Sequence, residues 1–84
     1  MFERGKVVVS LAGRDKGKLL AVMREENGLV ILCDGKERPI DRPKSKNIRH
    51  VESVGSSLDE SETATNRALK KALARLNAEI NGNT

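Results

Sequence analysis

Aromatic and sulfur-containing residues are scarce in this sequence. Its 84 residues include one Phe, no Trp, no Tyr and a single Cys. One cysteine cannot form a disulfide within the chain, and one Cys with one His provides too few ligands for a zinc site, so we expect neither a disulfide nor a bound metal. Proteins that bind single-stranded nucleic acid usually stack bases on aromatic rings, and this chain lacks the rings for that mode of recognition.

Long apolar segments are also missing. No stretch reaches the roughly 18 consecutive apolar residues that suggest a membrane-spanning helix. The residues from Met1 to Arg4 do not have the apolar stretch of a signal peptide. We therefore expect no membrane partner and a cytoplasmic location, where Cys33 is a reduced, buried thiol of a strand.

The charges that are present are unevenly distributed. The chain carries 16 Lys and Arg against 12 Asp and Glu, a net charge of +4. Residues 1–52 hold twelve basic and eight acidic side chains, whereas residues 53–84 hold four of each. A polyanion is the partner that this excess favours. In the absence of aromatic platforms, a nucleic acid would be recognised through its phosphates and its shape.

Short apolar runs separated by turn residues predict a mainly β domain over residues 1–52. The Asn27-Gly28 dipeptide favours a type I′ hairpin turn, and Pro39 restricts its segment to the edge of a sheet. The predicted strands are 6–10, 19–23, 29–33, 36–40 and 48–51. Several short strands with regular turn signals predict a small antiparallel β-barrel of about five strands.

The remaining residues predict a linker at 53–57 and an amphipathic C-terminal α-helix at 58–81. Ser57 and Glu60 have the spacing of a capping box, and no helix-breaking residue follows until Gly82. One side of this helix carries an apolar stripe of Leu69, Ala72, Leu73, Leu76 and Ile80. The opposite side carries basic residues, and such a charged face is usually solvated. These residues are Arg67, Lys70, Lys71 and Arg75.

The apolar stripe predicts contact between the helix and the barrel. The third predicted strand is apolar at every position, whereas a strand with one wet face alternates. If Leu29, Ile31 and Cys33 fill the barrel, Val30 and Leu32 point outward and need a cover. We expect the helix stripe to provide it, the alternative being a second copy of the chain.

A segment rich in glycine and cations joins the first two predicted strands. It reads Gly13-Arg14-Asp15-Lys16-Gly17-Lys18. The glycines permit positive φ angles or close approach to another backbone, and the three cations would lie at the tip of a hairpin. Such a tip can neutralise phosphates of a nucleic acid. Asp15 is expected to orient the loop.

This segment resembles the KOW motif of SH3-like barrels in ribosomal proteins and transcription elongation factors. The resemblance continues through Asp34-Gly35-Lys36, Pro43-Lys44 and residues 46–51. These stretches are similar to parts of the fourteen-e family of large-subunit ribosomal proteins and of short bacterial KOW-domain RNA-binding proteins. The resemblance covers about residues 3–52 and implies an SH3-like barrel that binds RNA, commonly structured ribosomal RNA, without catalysis. It does not include the helix.

These observations predict a non-catalytic RNA-binding protein of the translation machinery, part of a ribonucleoprotein and without cofactors. The residues predicted to contact RNA are Gly13, Arg14, Lys16, Gly17, Lys18, Arg42, Lys44, Lys46 and Arg49. An enzyme is not expected, because the sequence offers no paired carboxylates, no nucleophile with a base and no P-loop. The alternative is a protein-interaction module that uses the barrel and the apolar helix stripe to bind ribosomal or transcription proteins.

Overall fold

The apolar runs of the N-terminal part form one antiparallel sheet, and the C-terminal part adds one helix. The computed structural model describes residues 2–82. Its elements are β1 (Lys6–Ser10), β2 (Leu19–Glu26), β3 (Leu29–Cys33), β4 (Lys44–Asn47), a 3-10 helix (Ile48–His50), β5 (Val51–Ser57) and α1 (Asn66–Asn81). The strand order is β4-β3-β2-β1-β5. The prediction of a mainly β fold with five strands and a C-terminal helix is confirmed.

The hairpin between β2 and β3 forms as its turn residues predict. Asn27 and Gly28 have φ angles of 51° and 80°, the two positive values that a type I′ turn requires. β2 runs three residues beyond its predicted end, and Glu26 pairs with Leu29 directly across the turn. The pairing shifts register between Val22 and Arg24, an irregularity that lets a strand bend.

The prediction of a strand at 36–40 is wrong, and of the strand predicted at 48–51 only Val51 lies in a strand, as the first residue of β5. The first segment belongs to the β3–β4 loop, where the Asp34 carboxylate accepts the backbone N–H groups of Lys36 and Arg38, both at 2.8 Å. The fourth strand is instead the polar segment Lys44–Asn47. At 48–50 the chain forms the 3-10 helix, because the Asn47 side chain accepts the Arg49 N–H and caps it.

The predicted linker at 53–57 and the helix start at residue 58 are also wrong. Residues 53–57 form most of β5, which pairs with β1. A reciprocal pair of hydrogen bonds between Asp59 and Glu62, each 2.9 Å, closes a separate turn. The Thr65 hydroxyl accepts the Ala68 N–H and caps α1, so the helix begins at Asn66. The reciprocal hydrogen bonds of a capping box thus occur two residues later than predicted, between Asp59 and Glu62, and they close a turn before the helix.

Apolar side chains bury both faces of the sheet. One cluster, the inner core, contains Val8, Leu20, Val22, Val30, Leu32 and Val51, with Phe2 and Ile48 packed against it. The other, the outer core, joins sheet residues to α1. Its members are Val7, Ala21, Met23, Ile31, Cys33, Leu58, Leu69, Ala72, Leu73 and Leu76. Since α1 covers only the outer core, the sheet must curl over the inner one. It does not close into a barrel, because β4 and β5 remain edge strands in the described part.

The helix therefore packs on its own sheet, as predicted, but against the opposite face. Ile31 and Cys33 face α1, whereas Val30 and Leu32 lie in the inner core. A strand that is apolar at every position carries no period-two signal to distinguish its faces, which is why the assignment was reversed. Ile80 is 52% exposed and lies beyond the contact. Among residues 2–82, no helix combines the length and apolar character that crossing a bilayer requires.

Candidate nucleic-acid interface

Antiparallel pairing brings the β1–β2 loop, the β3–β4 loop and the start of β4 to one end of the sheet. Leu32 pairs with Lys44 there, and the Leu11 N–H donates to the carbonyl oxygen of His50 at 2.8 Å. We call residues 11–18 and 34–50 the basic end. It holds nine basic and four acidic side chains, a net charge of +5, which exceeds that of the whole chain. The positive excess predicted from the sequence thus lies in these two segments, which meet where Lys44 pairs with Leu32 and where His50 reaches Leu11. Between these points β4 runs to the β2–β3 hairpin, where the Ile48 N–H donates to the Gly28 carbonyl oxygen at 3.1 Å.

The β1–β2 loop is held in shape by its own backbone. The Gly17 N–H donates to the Ser10 carbonyl and the Lys18 N–H to the Asp15 carbonyl, both at 2.8 Å. Gly13 and Gly17 have φ angles of 78° and 85°, which other residues adopt only at a cost. A Cβ atom added to Gly17 would meet nothing within 4 Å, so the backbone at Gly17 is open to an approaching molecule.

Asp15 ties this loop to two other segments. Its side chain is 5% exposed, and its Oδ2 atom lies 3.3 Å from Arg38 Nη2 and 3.5 Å from Lys44 Nζ. Burial by itself raises the pKa of Asp15, but the nearby positive charges of Arg38 and Lys44 and their hydrogen bonds outweigh it, so the pKa is lowered. Asp15 stays ionised and orients the loop, the role expected for it from the sequence.

Two further contacts hold the same loop. Lys46 is 9% exposed, and its Nζ atom donates to the Ala12 carbonyl oxygen at 3.0 Å. On the other side, Lys18 Nζ and Glu37 Oε1 form an exposed ion pair at 2.6 Å, and Glu37 raises the pKa of Lys18. Lys18, Lys44 and Lys46 were predicted to contact RNA. In the structure Lys44 and Lys46 contact the loop itself, at Asp15 and Ala12, and Lys18 is engaged in an exposed ion pair, which contributes less.

The other predicted cations are exposed. Within residues 2–82 the side chains of Arg14, Lys16, Arg42 and Arg49 make no hydrogen bond or ion pair. Arg14 and Lys16 lie on the braced β1–β2 loop, Arg42 lies in the β3–β4 loop, and Arg49 lies in the 3-10 helix. Lys36, which was not predicted to contact RNA, is also exposed and unpaired within residues 2–82, so the basic end presents five free positive charges.

Arg38 is a residue of this site that was not predicted from the sequence. Its guanidinium binds Asp15 through Nη2, while its buried Nε atom has no hydrogen-bond partner. With Arg14, Lys18 and Glu37 it lines a depression of about 250 Å³ beside the loop. The segment around Pro39 was predicted as an edge strand, so nothing indicated that the Arg38 side chain would reach residue 15. Only the alternation of acidic and basic residues on the two loops hinted at their pairing.

The described residues include no group of three or more His, Cys, Asp or Glu side chains that could hold a metal ion. Cys33 is a free thiol buried in the outer core, and burial raises its pKa to about 11. A comparison with models of known protein families gives no match to this chain, and a comparison with curated proteins gives none either. The KOW interpretation therefore stays a prediction from the residues quoted above.

Proposed function

We propose that the protein binds folded RNA through the basic end and has no catalytic role. The observation that carries this proposal is the gathering of nine basic side chains against four acidic ones on two loops and the segment that follows them. Five of these cations are exposed and make no ion pair within the described residues. Cations placed in this way neutralise phosphates, which supply most of the affinity of proteins for nucleic acids.

The composition of the basic end favours recognition of phosphates and shape. The only Phe, Trp or Tyr side chain, Phe2, lies at the inner core, and the single ring of the basic end is the imidazole of His50, so the basic end has no row of rings on which successive bases could stack. Double-stranded and folded RNA is recognised largely through phosphates and 2′-hydroxyl groups. The resemblance to the KOW motif adds ribosomal RNA as the expected target, within a cytoplasmic ribonucleoprotein.

The braced loop supports the same proposal. Asp15, Lys18 and Lys46 each tie the β1–β2 loop to a different partner, so Arg14 and Lys16 project from a backbone that is already ordered. Ordering a loop on binding costs free energy, and a loop that is ordered beforehand avoids this cost.

The alternative, a protein-interaction module, requires an accessible apolar stripe on the helix, and in this fold most of that stripe is buried. Leu69, Leu73 and Leu76 are 0%, 6% and 9% exposed because they pack in the outer core. A partner could reach this stripe only if α1 left the sheet. The observations therefore favour RNA over a protein that docks on the stripe.

The proposal is tested with two double variants of the full chain that lose the same charge. Arg14→Ala/Lys16→Ala removes two free cations from the basic end, and Arg67→Ala/Lys71→Ala removes two exposed cations from α1. Fluorescence anisotropy with a labelled, base-paired RNA hairpin at 0.1 M salt measures the affinity. The first variant should bind roughly 25- to 60-fold more weakly. Each phosphate contact contributes about 0.7 to 0.9 to the slope of log K against log salt, so relative to 1 M salt one contact strengthens binding at 0.1 M salt about five- to eightfold, and two contacts multiply this factor.

The control variant separates position from net charge. Arg67→Ala/Lys71→Ala should bind nearly as tightly as the wild-type chain, and circular dichroism should show that both variants are folded. Equal losses in the two variants would mean that only net charge matters. Unchanged affinity of the folded Arg14→Ala/Lys16→Ala variant would remove the basic end from the mechanism.

A further inference from the structure

The β3–β4 loop rests directly on the first turns of α1. The Ile40 N–H donates to Asn66 Oδ1 at 2.8 Å. Gly35 lies so close to the helix that an added Cβ atom would collide with the Asn66 carbonyl oxygen and lie 3.1 Å from the Lys70 backbone nitrogen. Lys36, the residue after Gly35, is therefore next to Lys70 on α1.

A groove of about 330 Å³ runs between these segments. Gly17 and Lys18 of the β1–β2 loop form one wall, Lys36 lies on the β3–β4 loop, and Lys70 and Asn77 lie on α1. Because Gly17 and Lys18 also belong to the basic end, the groove continues that surface onto the helix.

The lining of the groove carries three lysines against two carboxylates, a net charge of +1. Its two acidic residues are engaged, since Glu37 pairs with Lys18 and the Asp34 carboxylate accepts two backbone N–H groups. The side chains of Lys36 and Lys70 are exposed and make no hydrogen bond or ion pair within residues 2–82. The Asn77 amide supplies an additional donor along the same wall.

We propose that this groove carries the RNA backbone from the basic end onto α1, with Lys36 and Lys70 each contacting a phosphate. This inference rests on the proposed function. Continuity with the basic end and charge complementarity favour a nucleic-acid backbone, because one polyanion then covers both surfaces. Lys70 is exposed, as the sequence predicts for the basic face of the helix, and this proposal adds an RNA contact to that exposed side chain.

The helix provides a closely matched control. Lys71 follows Lys70 and is exposed, but successive residues of a helix are about 100° apart, and Lys71 does not line the groove. Arg75 is unsuitable as a control because it pairs with Glu62 at 2.9 Å. Lys70→Ala and Lys71→Ala remove the same charge from the same helix and should have similar stabilities.

The experiment titrates full-length Lys36→Ala, Lys70→Ala and Lys71→Ala against the same RNA hairpin at several salt concentrations. Lys36→Ala and Lys70→Ala should each weaken binding roughly five- to eightfold at 0.1 M salt and flatten the salt slope by about 0.7 to 0.9. Lys71→Ala should change neither quantity appreciably.

The outcomes distinguish the groove from the proposed function. If Arg14→Ala/Lys16→Ala weakens binding while Lys70→Ala behaves like Lys71→Ala, the basic end binds RNA and the groove does not. If the wild-type chain shows no salt-dependent affinity for the hairpin, both proposals fail. Binding of poly-glutamate that depends on Lys70, without such dependence for RNA, would overturn the groove as an RNA site and assign it to acidic protein segments.

Discussion

The cations of the basic end have two distinct physical roles. Arg14 and Lys16 are free and exposed, whereas Lys46 is buried and donates to a backbone carbonyl. Lys44 and Arg38 share the carboxylate of Asp15. The engaged side chains determine where the free ones are presented. Substitutions at these two kinds of cation should therefore differ in their effect on stability.

Asp15 provides the sharpest test at the residue scale. Asp15→Asn removes the charge that joins Arg38 and Lys44, so the free energy of unfolding should fall by about 1 to 3 kcal/mol. Added positive charge alone would tighten RNA binding, whereas a loosened loop weakens it. We expect weaker binding by the hairpin titration and a lower midpoint in thermal denaturation.

Asp41→Asn is the matched control for this substitution, because Asp41 is exposed in the β3–β4 loop and has no ion pair within residues 2–82. The Asp41→Asn variant should be as stable as the wild-type chain and should bind RNA at least as tightly. If both variants bind more tightly, Asp15 acts through charge alone and does not position the loop.

Because the pKa of Asp15 is lowered, the difference in stability between the wild-type chain and Asp15→Asn should depend on pH. A carboxyl whose pKa is lower in the folded chain contributes its full stability above the unfolded pKa, about 3.9, and loses it as the pH falls through the folded pKa. The stability gap between wild type and Asp15→Asn should thus be constant near neutral pH and shrink below about pH 4. A constant gap down to pH 2 would show that the Asp15 charge is not its source.

At the residue scale the sequence predicts which residue types form the site better than it predicts which of their side chains contact each other. The glycines and cations of residues 13–18 form a loop with positive φ angles, as their types suggest. Lys46, however, meets a carbonyl 34 residues earlier in the chain, and Arg38 meets a carboxylate 23 residues earlier. Spacing along the chain carries no information about such contacts. The sequence therefore could not distinguish the cations that hold the loop from those that are exposed and unpaired.

At the scale of elements, apolar character determines what is predictable. β1, β2 and β3 were located because their buried residues form apolar runs. β4 and β5 lie at the sheet edges and are largely polar, so their sequences resemble loops. The helix was predicted eight residues too long at its start because a capping pattern does not reveal whether the turn it closes continues.

The packing of α1 can be tested with two truncations of its apolar stripe. Leu73 is 6% exposed in the outer core, whereas Ile80 is 52% exposed. Leu73→Ala should lower the free energy of unfolding by about 2 to 5 kcal/mol, a large share for a domain of this size. Ile80→Ala should change it little. Urea denaturation followed by circular dichroism measures both, and equal small losses would show that α1 does not pack on the sheet in solution.

At the scale of the whole molecule, charge is separated from packing. Both apolar cores lie along the sheet, while the basic end holds a net charge of +5 and the remaining residues a net charge of −1. Such an asymmetric distribution orients a protein as it approaches a polyanion. The loops at one end can thus take part in binding without disturbing the cores that stabilise the fold.

The salt dependence of RNA binding should count the cations that are free in the folded chain. At the basic end and in the groove the exposed, unpaired side chains are Arg14, Lys16, Lys36, Arg42, Arg49 and Lys70. If five or six phosphates are neutralised, log K should fall with log salt at a slope of roughly −4.5 to −5.5, at about 0.9 per contact for a duplex.

A steeper salt slope is expected if the lysines that have partners in the folded chain also bind phosphates. If Lys18, Lys44 and Lys46 also left their partners to contact phosphates, the slope would steepen to roughly −8 at the same value per contact. Binding would then disrupt the ties that hold the β1–β2 loop, and Asp15→Asn would strengthen RNA binding instead of weakening it. A slope near −1 would mean that the basic end is merely solvated. Titrating the wild-type chain with the RNA hairpin over a tenfold range of salt distinguishes these three slopes. We expect the intermediate slope, because Lys18, Lys44 and Lys46 remain with their partners when the β1–β2 loop stays braced.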